Sequence, residues 1–285
     1  MWLDAKAPLL TNTPSVAVCY LARAVEGLEP VKRFIRSYED YPSGFGHELV
    51  VLYKGFDGLD KQPWRTILGE HVRHEYDFAD TGFTDVPFHL TAARLEYDYF
   101  LFLNTFSYFV VPNWLGMLMA AAEDPKVGAV GATASYESAA AFRMPGRYRL
   151  PIGRRHQIYL RNWWFYPPFP NYHLRSNGFL VSRAIMKRIK LPRIEKKEDA
   201  YLFESGKRSF TRQVEAMGKE VRVVGRNGSS YGRDDAWQGR TFRQLDQGNL
   251  LIADNQTDFY ATAGAADRLN MTLRTWGDRS PTASP

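Results

Sequence analysis

The sequence predicts an α/β protein built on a mostly parallel central sheet, and two observations support this. Short apolar runs rich in valine and aromatic residues recur in the first half of the chain, as expected of strands buried on both faces. Segments with helical spacing of apolar residues separate these runs. Strands that alternate with helices form parallel sheets through right-handed crossovers.

The predicted elements follow one another in a regular order. SVAVCYL, from Ser15 to Leu21, predicts a buried strand, and the apolar stripe within Gly27–Tyr41 predicts a helix after it. Further strands are expected at Glu48–Tyr53, Val72–Tyr76 and 127–133, with a helix through His89–Leu95. This alternation is the pattern on which the fold prediction depends.

An uncharged segment from Tyr99 to Ala122 has the length of a membrane-spanning helix, which needs about 20 apolar residues. Polar residues lie inside it, and the pair Pro112–Asn113 interrupts it. We therefore expect a buried strand, YFLFLN, followed by a helix that Asn113 caps.

The second half of the chain is less regular. Residues 139–172 are crowded with arginine, proline and aromatic residues and predict a long surface excursion. NGFLVSR and EVRVVG predict strands, and SFTRQVEAMG predicts a helix ended by Gly218. The expected organisation is a leader (1–14), one α/β domain (15–245) and a C-terminal helical extension with a tail (246–285).

Composition narrows the class of protein. The chain has 285 residues, of which 45% are hydrophobic and 24% charged, and this balance excludes wholesale disorder. A single cysteine, Cys19, excludes an intrachain disulfide and a cysteine-built metal site, so a reducing, cytoplasmic compartment is the default expectation. The N-terminus has no signal-peptide pattern. The net charge of +6 favours anionic partners, such as phosphorylated molecules, an acidic membrane face or nucleic acid.

Several functional motifs are missing from the sequence. It contains no GxGxxG, no GxxxxGK[ST] and no GxSxG, which leaves dinucleotide-binding, P-loop and serine-elbow enzymes unsupported. The basic residues are dispersed and no nucleic-acid-binding pattern is visible, so no nucleic-acid partner is expected. His71 and His74 lie three residues apart without further clustered ligands, so no metal site is predicted there.

Ligands of parallel sheets bind beyond the carboxyl ends of the strands. Four predicted strand ends therefore mark the place where the chemistry is expected, and these are Tyr20–Arg23, Tyr53–Asp57, Asp80–Asp85 and Asn104–Ser107.

An ordered set of segments over roughly residues 15–225 resembles the family-2-like glycosyltransferases of the GT-A fold. The segments are SVAVCYLARAVEG, ELVVLYKGFD, ADTGF, YFLFLNTFSYFVVPNWLGMLMAA, VGAVGA, SNGFLVSR and FESGKRSFTRQVEAMGKEVRVVG. The resemblance implies a GT-A (Rossmann-like) sheet and transfer of a sugar from a nucleotide-sugar donor to a hydroxyl acceptor. Bacterial relatives of this type mostly build cell-surface polysaccharides or glycolipids.

The segment LNTFS departs from the family pattern. The resemblance implies a metal-binding carboxylate at the end of this motif, where Mn²⁺ or Mg²⁺ would bridge the donor diphosphate. Asn104 fills the first position, but Phe106 replaces the carboxylate (Asn104-Thr105-Phe106-Ser107). Three alternatives stay open: lysine and arginine neutralise the diphosphate without a metal, Asp80 or Asp85 holds the metal, or the protein is inactive.

The resemblance also implies a general base, an Asp or Glu just before the helix that follows the donor site. Glu204 is the first choice, because it stands about 14 residues ahead of Gly218; Asp199 is the second choice and Glu198 the third. The alternative for Glu204 is an acidic residue at a helix N-terminus, where the helix dipole favours it.

The remaining site residues are likewise implied by the resemblance. The nucleotide-sugar contacts would be Tyr20, Ala22, Arg23, Tyr53, Lys54, Asp80, Gly82, Asn104 and Phe106. The diphosphate or acceptor contacts would be Arg175, Asn177, Lys207, Arg208, Tyr231, Arg233 and Trp237. The alternatives are a simple turn for Asp80 and Gly82, solvated surface charges for the basic residues and a core anchor for Trp237. Trp163–Trp164, with Phe165 and Tyr166, would form an acceptor-facing or membrane-facing patch, or pack over the sheet.

The resulting hypothesis is an inverting glycosyltransferase of the cytoplasm, able to act peripherally at the anionic inner membrane face. Its partners would be a nucleotide-sugar and a glycan or glycolipid acceptor. Two rival hypotheses are a non-catalytic nucleotide- or sugar-binding protein on the same fold, motivated by Phe106, and a sugar nucleotidyltransferase. The second would need a glycine-rich phosphate loop after the first strand, which LARAVEGLEP lacks.

Overall fold

The computed structural model describes residues 13–140, 160 and 162–279. Its strands are β1 (Val16–Arg23), β2 (Glu48–Lys54), β3 (Val72–Phe78), β4 (Tyr99–Leu103), β5 (Tyr108–Phe109), β6 (Val127–Gly131), β7 (Ala134–Ser135), β8 (His173–Leu174), β9 (Phe179–Ser182), β10 (Glu220–Val224), β11 (Ser230–Tyr231) and β12 (Ile252–Ala253). Its α-helices include α1 (Glu29–Asp40), α2 (Gln62–Leu68), α3 (Asp85–Arg94), α4 (Trp114–Ala122), α5 (Arg183–Met186), α6 (Lys197–Ser205), α7 (Phe210–Ala216), α8 (Asn255–Thr262) and α9 (Ala265–Trp276).

Eight of these strands form one sheet in the order β11-β10-β6-β9-β4-β1-β2-β3. The neighbours β3, β2, β1 and β4 are parallel, as are β6 and β10, and β9 runs antiparallel between β4 and β6. The carboxyl ends of β1, β2, β3, β4, β6 and β10 consequently lie along one edge. This confirms the predicted α/β class with a mostly parallel sheet between helices.

The core lies in two layers, one on each face of the sheet. Alternate residues of β1 supply both, because successive side chains of a strand point to opposite faces: Cys19 and Leu21 face one layer, and Val18 and Tyr20 the other. Helices α1, α2 and α4 cover the second face, and α3, α5, α6, α7 and α9 cover the first. The strands at the site edge are therefore fixed from both sides.

The uncharged segment from Tyr99 to Ala122 forms β4, β5 and α4, as the interrupted apolar pattern predicts. Asn113 stands at the N-cap position of α4, but the prediction that its side chain caps the helix is wrong. The side chain makes no cap hydrogen bond, and the backbone is left-handed with φ of 59°. Asn113 Oδ1 instead packs on Gly44, where an added Cβ would lie 1.8 Å away.

No helix within the described residues is long and apolar enough to cross a membrane. The expected leader (1–14) and tail fall mostly outside the described residues, as does most of the expected surface excursion (139–172). Part of the expected C-terminal extension joins the domain directly, because β12 pairs antiparallel with β5 through Ile252 and Phe109.

Candidate functional site

An ion cluster joins the carboxyl ends of β1 and β2 to the loop after β3. Arg23 donates from Nε and Nη2 to the two carboxylate oxygens of Asp80, at 2.9 and 2.8 Å. Lys54 Nζ donates to Asp80 Oδ1 at 2.5 Å, and Arg23 also pairs with Glu26 at 3.2 Å. Hydrogen bonds from Arg23 and then Lys54 hold the pKa of Asp80 well below its usual range. Three of the expected nucleotide contacts thus form one ionised cluster at the predicted edge.

Gly82 forms the turn behind this cluster. Its φ of 68° is left-handed, and an added Cβ would lie 2.4 Å from the Val86 side chain. Gly82 also accepts a hydrogen bond from the Val86 backbone at 3.2 Å. Glycine is therefore required here by the turn that leads into α3.

Three expected nucleotide contacts lie in the buried core, where their side chains are not accessible to a ligand in this structure. Tyr20, Ala22 and Tyr53 are fully buried. The ring of Tyr20 stacks on Phe34 at 3.9 Å, and its hydroxyl donates to the Thr105 carbonyl at 2.7 Å. Their side chains belong to the face of the sheet covered by α1, which the sequence at a strand end does not reveal.

The loop after β4 is held by its own polar groups. Asn104 Oδ1 accepts hydrogen bonds from the Phe106 backbone at 2.9 Å and from Ser107 Oγ at 3.2 Å. Asn177 Oδ1 accepts from the Asn104 backbone at 3.0 Å and from Ser107 Oγ at 2.5 Å. The loop that carries the degenerate motif is thereby fixed against the segment before β9, and Phe106 remains half-buried.

Asp254 anchors this segment and was missed by the sequence analysis. Its Oδ2 accepts from Arg175 Nη2 at 2.8 Å and from Asn177 Nδ2 at 3.2 Å, while Oδ1 caps α8. Burial alone would raise the pKa of Asp254, but the Arg175 guanidinium and the helix-capping N–H groups outweigh burial and lower it. Arg175 also lies 4.1 Å from the Phe242 ring centroid, so this cation is held on two sides.

Glu204 lies at the same edge, but in a different local setting from the expected one. It stands in the last turn of α6, and not at a helix N-terminus, so the helix-dipole alternative does not explain it. Its Oε1 accepts from the backbone N–H of Ser176 at 2.9 Å and from Ser176 Oγ at 3.3 Å. No hydrogen-bond partner of Oε2 is found in the part of the chain that the structure describes.

A small cavity of about 20 Å³ opens beside Glu204. Asp85, the first residue of α3, lines it together with Leu174, Arg175, Ser176, Phe179, Phe203, Glu204 and Phe210. Burial raises the pKa of Asp85 to about 8, and the charge of Glu204 adds to this effect. From the sequence, Asp85 was expected only as a metal ligand, and in the structure it lines the same cavity as Glu204.

Asp199 has a structural role at the start of α6. Its Oδ2 accepts from the backbone N–H groups of Glu195 and Lys196, both at 3.1 Å. These bonds lower the pKa of Asp199 and satisfy backbone N–H groups at the start of the helix. The second choice for the base thus has its accepting oxygen engaged in the helix cap, and Glu198 in the same first turn is exposed.

The basic residues after Glu204 differ in whether their side chains have hydrogen-bond or ion-pair partners. Lys207 Nζ donates to the Trp163 carbonyl at 2.9 Å, and Arg233 pairs with Glu215. Arg208 is exposed, and no ion pair of its side chain is found within the described residues. Tyr231 lines an open polar groove of about 380 Å³ near β11, and the Trp237 indole donates to the Asp234 carbonyl at 3.0 Å.

The residues at this edge do not fit a Mn²⁺ or Mg²⁺ site. Within residues 13–140, 160 and 162–279, no group of three or more His, Cys, Asp or Glu side chains could hold a metal ion. The position expected to carry the metal ligand is Phe106, which has no ligand atom. Of the two other candidates, Asp80 is already bound by two cationic side chains, and Asp85 is buried in the cavity beside Glu204. We derive no step through a metal.

An aromatic patch lies on the surface near α6. Trp163, Trp164 and Phe165 expose 49%, 72% and 53% of their area, so they do not pack over the sheet. Tyr166 is buried, which separates it from the patch. Lys207 lies 5.2 Å from the Trp163 ring centroid, so the patch carries a positive charge at its rim.

Comparison with solved structures finds partial likenesses, with TM-scores below 0.5 and low sequence identity. A mannosyltransferase from Pyrobaculum calidifontis, solved with GDP-Man and Mn²⁺, matches with a TM-score of 0.40 and 13% identity over 64% of this chain. This chain covers 48% of that protein, about half of its length. No protein-family model and no curated protein matches the sequence.

Two further likenesses are of the same kind. A 4-diphosphocytidyl-2C-methyl-D-erythritol synthase from Anaerococcus prevotii matches with a TM-score of 0.43 and 11% identity, over 75% of this chain and 89% of that one. A glucosyl-3-phosphoglycerate synthase from Mycobacterium tuberculosis, solved with Mn²⁺, UDP and phosphoglyceric acid, matches with a TM-score of 0.43 and 14% identity. The match covers 77% of this chain and 71% of that one. The function proposed below rests on the geometry of the site and not on these likenesses.

Proposed function

We propose that this protein is a glycosyltransferase that moves a sugar from a nucleotide-sugar donor to a hydroxyl group of a glycan or glycolipid. The observation that carries the proposal is the meeting of two features at one sheet edge. One is the ionised cluster of Arg23, Lys54 and Asp80. The other is the carboxyl group of Glu204, bound to Ser176 next to Asn177, which holds the loop after β4. A donor of this kind needs a polar nucleotide site and a base near its sugar.

Glu204 is the proposed general base. Its Oε1 is fixed by Ser176, which leaves Oε2 available to accept a proton from the acceptor. The acceptor oxygen would attack the anomeric carbon as its proton passes to Glu204. The bond from that carbon to the diphosphate would break, and its electron pair would leave with the diphosphate. In-line displacement of this kind inverts the anomeric centre.

The leaving diphosphate would be met by cationic side chains. Arg208 is the most suitable, because it is exposed and follows Glu204 by four residues in the sequence. Lys207 precedes it and would have to leave the Trp163 carbonyl to contribute. Positioned cations stabilise the negative charge that develops on a leaving phosphate, and this role needs no metal.

The ion cluster would select the nucleotide. Asp80 stays ionised because Arg23 and Lys54 both bind it, so its oxygens can also accept hydrogen bonds from a base or ribose. Asn104 and Phe106 would lie next to the sugar–diphosphate. The acceptor would approach from the side of Tyr231, Arg233 and Trp237.

The exposed aromatic patch supports a membrane-associated acceptor. Tryptophan and phenylalanine side chains partition to membrane interfaces, and nearby lysine and arginine are attracted to anionic lipid. We place the protein in the cytoplasm, peripherally at the inner membrane face, where it would act in surface polysaccharide or glycolipid synthesis.

Calorimetric titration with UDP, GDP, CMP and dTDP, first in EDTA and then in Mn²⁺, tests the donor site. Binding of one nucleotide in EDTA, with an affinity that Mn²⁺ leaves unchanged, is the expected result. A donor carrying that nucleotide should then be consumed in the presence of a hydroxyl acceptor. Binding without any turnover would favour the non-catalytic alternative, and no binding in any condition would contradict the proposal.

A further inference from the structure

Asp85 and Glu204 face the same small cavity from different elements. Asp85 begins α3 and is only 8% exposed, while Glu204 ends α6. The cavity of about 20 Å³ has room for one water molecule. Most of its wall is apolar, formed by Leu174, Phe179, Phe203 and Phe210. Two carboxyl groups therefore share a poorly hydrated space.

The surroundings of Asp85 favour its protonated form. Among the described residues, the group that hydrogen-bonds its carboxyl is its own backbone N–H. Burial raises the pKa of Asp85 to about 8 and Glu204 adds to it, although a position at the start of a helix usually favours the ionised form. Asp85 consequently carries a proton at neutral pH.

The other charged and titratable groups near the cavity do not supply a proton or a free positive charge to Glu204. Arg175 lines the cavity, but its guanidinium is bound to the buried carboxylate of Asp254 at 2.8 Å. His173 on β8 is buried, and burial lowers its pKa despite the charge of Glu204, which favours the neutral imidazole. Asp85 is thus the proton-bearing partner of Glu204 on this side of the site.

We propose that Asp85 and Glu204 act as one carboxyl pair across the cavity, in which Asp85 is a positioning residue that holds the proton and orients Glu204. Two carboxyl groups in a shared, weakly hydrated space retain one proton between them, because the second ionisation places like charges together. The proton resides on Asp85, the more buried group. Glu204 keeps its bonds to Ser176 and a free oxygen for the acceptor proton.

The first test needs no activity and so does not depend on the proposed function. Because folding raises the pKa of Asp85 from 3.8 to about 8, the folded chain retains a proton that the unfolded chain loses in this interval. Stability from this group is fully present below pH 4 and is lost as the pH rises towards 8. The unfolding constant of the native chain, relative to that of Asp85→Asn, should therefore rise up to about tenfold per pH unit between pH 4 and 8.

Urea unfolding of the native chain and of Asp85→Asn at a series of pH values measures this ratio. Asp278→Asn changes an exposed aspartate for which no ion pair is found in the described part of the chain; it is the matched control and should follow the native curve. Parallel curves for the native chain and Asp85→Asn would overturn the pair, whatever the enzyme does. If Asp85→Asn does not fold, the side-chain carbon resonance of Asp85, followed by NMR against pH, gives the same answer.

The second test addresses the catalytic consequence and rests on the proposed function. Ionisation of Asp85 near pH 8 would place a second negative charge beside Glu204 in the same poorly hydrated cavity. Turnover of the native enzyme should fall above about pH 8, and Asp85→Asn, which cannot ionise, should lose this alkaline decline. An unchanged alkaline decline in Asp85→Asn would overturn the positioning role. Absence of turnover in the native chain would refute the proposed function and leave the result of the first test standing.

Discussion

Arg175 Nη2 donates a hydrogen bond of 2.8 Å to Oδ2 of the fully buried Asp254, and this pair connects the C-terminal part of the chain to the candidate site. Asn177 binds the same oxygen at 3.2 Å and in turn holds the backbone N–H of Asn104. The loop after β4, the segment before β9 and the start of α8 are thereby linked through one carboxylate. Residues after 246 thus take part in building the site edge.

Replacement of Asp254 by alanine should destabilise the whole domain. The change leaves Arg175 without its partner in a mostly buried position and removes the cap of α8, so we expect a loss of about 3 kcal/mol in the free energy of unfolding. Urea unfolding measures it, with the exposed Asp278→Ala as control. An equal, small effect of both changes would show that the pair does not support the fold.

The same pair predicts the acid sensitivity of the protein. The pKa of Asp254 is lowered by Arg175 and the helix-capping N–H groups, which outweigh the effect of burial. A lowered pKa contributes stability that is present above the unfolded value, near 3.8, and is lost as the pH falls through the folded value. Asp254→Asn should therefore unfold with less pH dependence than the native chain below pH 4. Parallel pH curves in this range would contradict the assignment.

The fold was largely predictable, because buried parallel strands occur as short apolar runs in the sequence. The positions of the site residues were harder to predict. Tyr20 and Ala22 were expected at a strand end, but β1 runs on to Arg23 and their side chains pack in the core under α1. Which face a residue at a strand end occupies depends on the helices that cover the sheet, and the strand itself carries no signal for it.

Glu204 and Asp254 illustrate two further reasons. The apolar pattern of Lys197–Ser205 is weak, so the sequence did not predict the helix α6 there. Glu204 therefore lies in the last turn of a helix, where the start of one was expected. Asp254 lies about 80 residues from Arg175 along the chain, and no spacing rule connects them. Its capping box with Thr257, in DNQT, was the one local signal that could have indicated it.

Asp80→Asn should weaken nucleotide binding. The neutral amide loses both ion pairs, so Arg23 and Lys54 are released from their fixed positions, and we expect the Kd to rise about tenfold. Calorimetry with the nucleotide preferred by the native chain measures the change. Asp77→Asn, which removes an exposed carboxylate whose ion pair with Lys61 lies outside the cluster, serves as the control. Equal Kd values for all three proteins would remove the ion cluster from the nucleotide site.

Phe106→Asp tests the absence of a metal ligand from the loop after β4. A carboxylate here would offer the hard oxygen ligand that Mn²⁺ and Mg²⁺ prefer next to a diphosphate. We expect Mn²⁺ to raise the nucleotide affinity of the variant by about tenfold and to leave that of the native chain unchanged. A response to Mn²⁺ of equal size in the native chain would contradict the metal-independent account.

Trp164→Ala should reduce binding to anionic membranes. Trp164 is 72% exposed and lies in the aromatic patch beside Lys207, so its removal takes away apolar area that would insert at the interface. Co-sedimentation with phosphatidylglycerol vesicles measures the bound fraction, with phosphatidylcholine vesicles for comparison. Phe259→Ala, which removes an exposed ring on α8, is the control. Equal binding of all three proteins would exclude the patch as the membrane contact.

The role of Glu204 as general base is the central claim, and the substitution Glu204→Gln tests it most directly. The amide keeps the size of the side chain but cannot accept the acceptor proton. With the donor identified by calorimetry, turnover should fall by about 100-fold or more while the donor Kd stays within a few-fold of the native value. Native-like turnover in Glu204→Gln, with loss of activity in Asp199→Asn, would contradict the assignment.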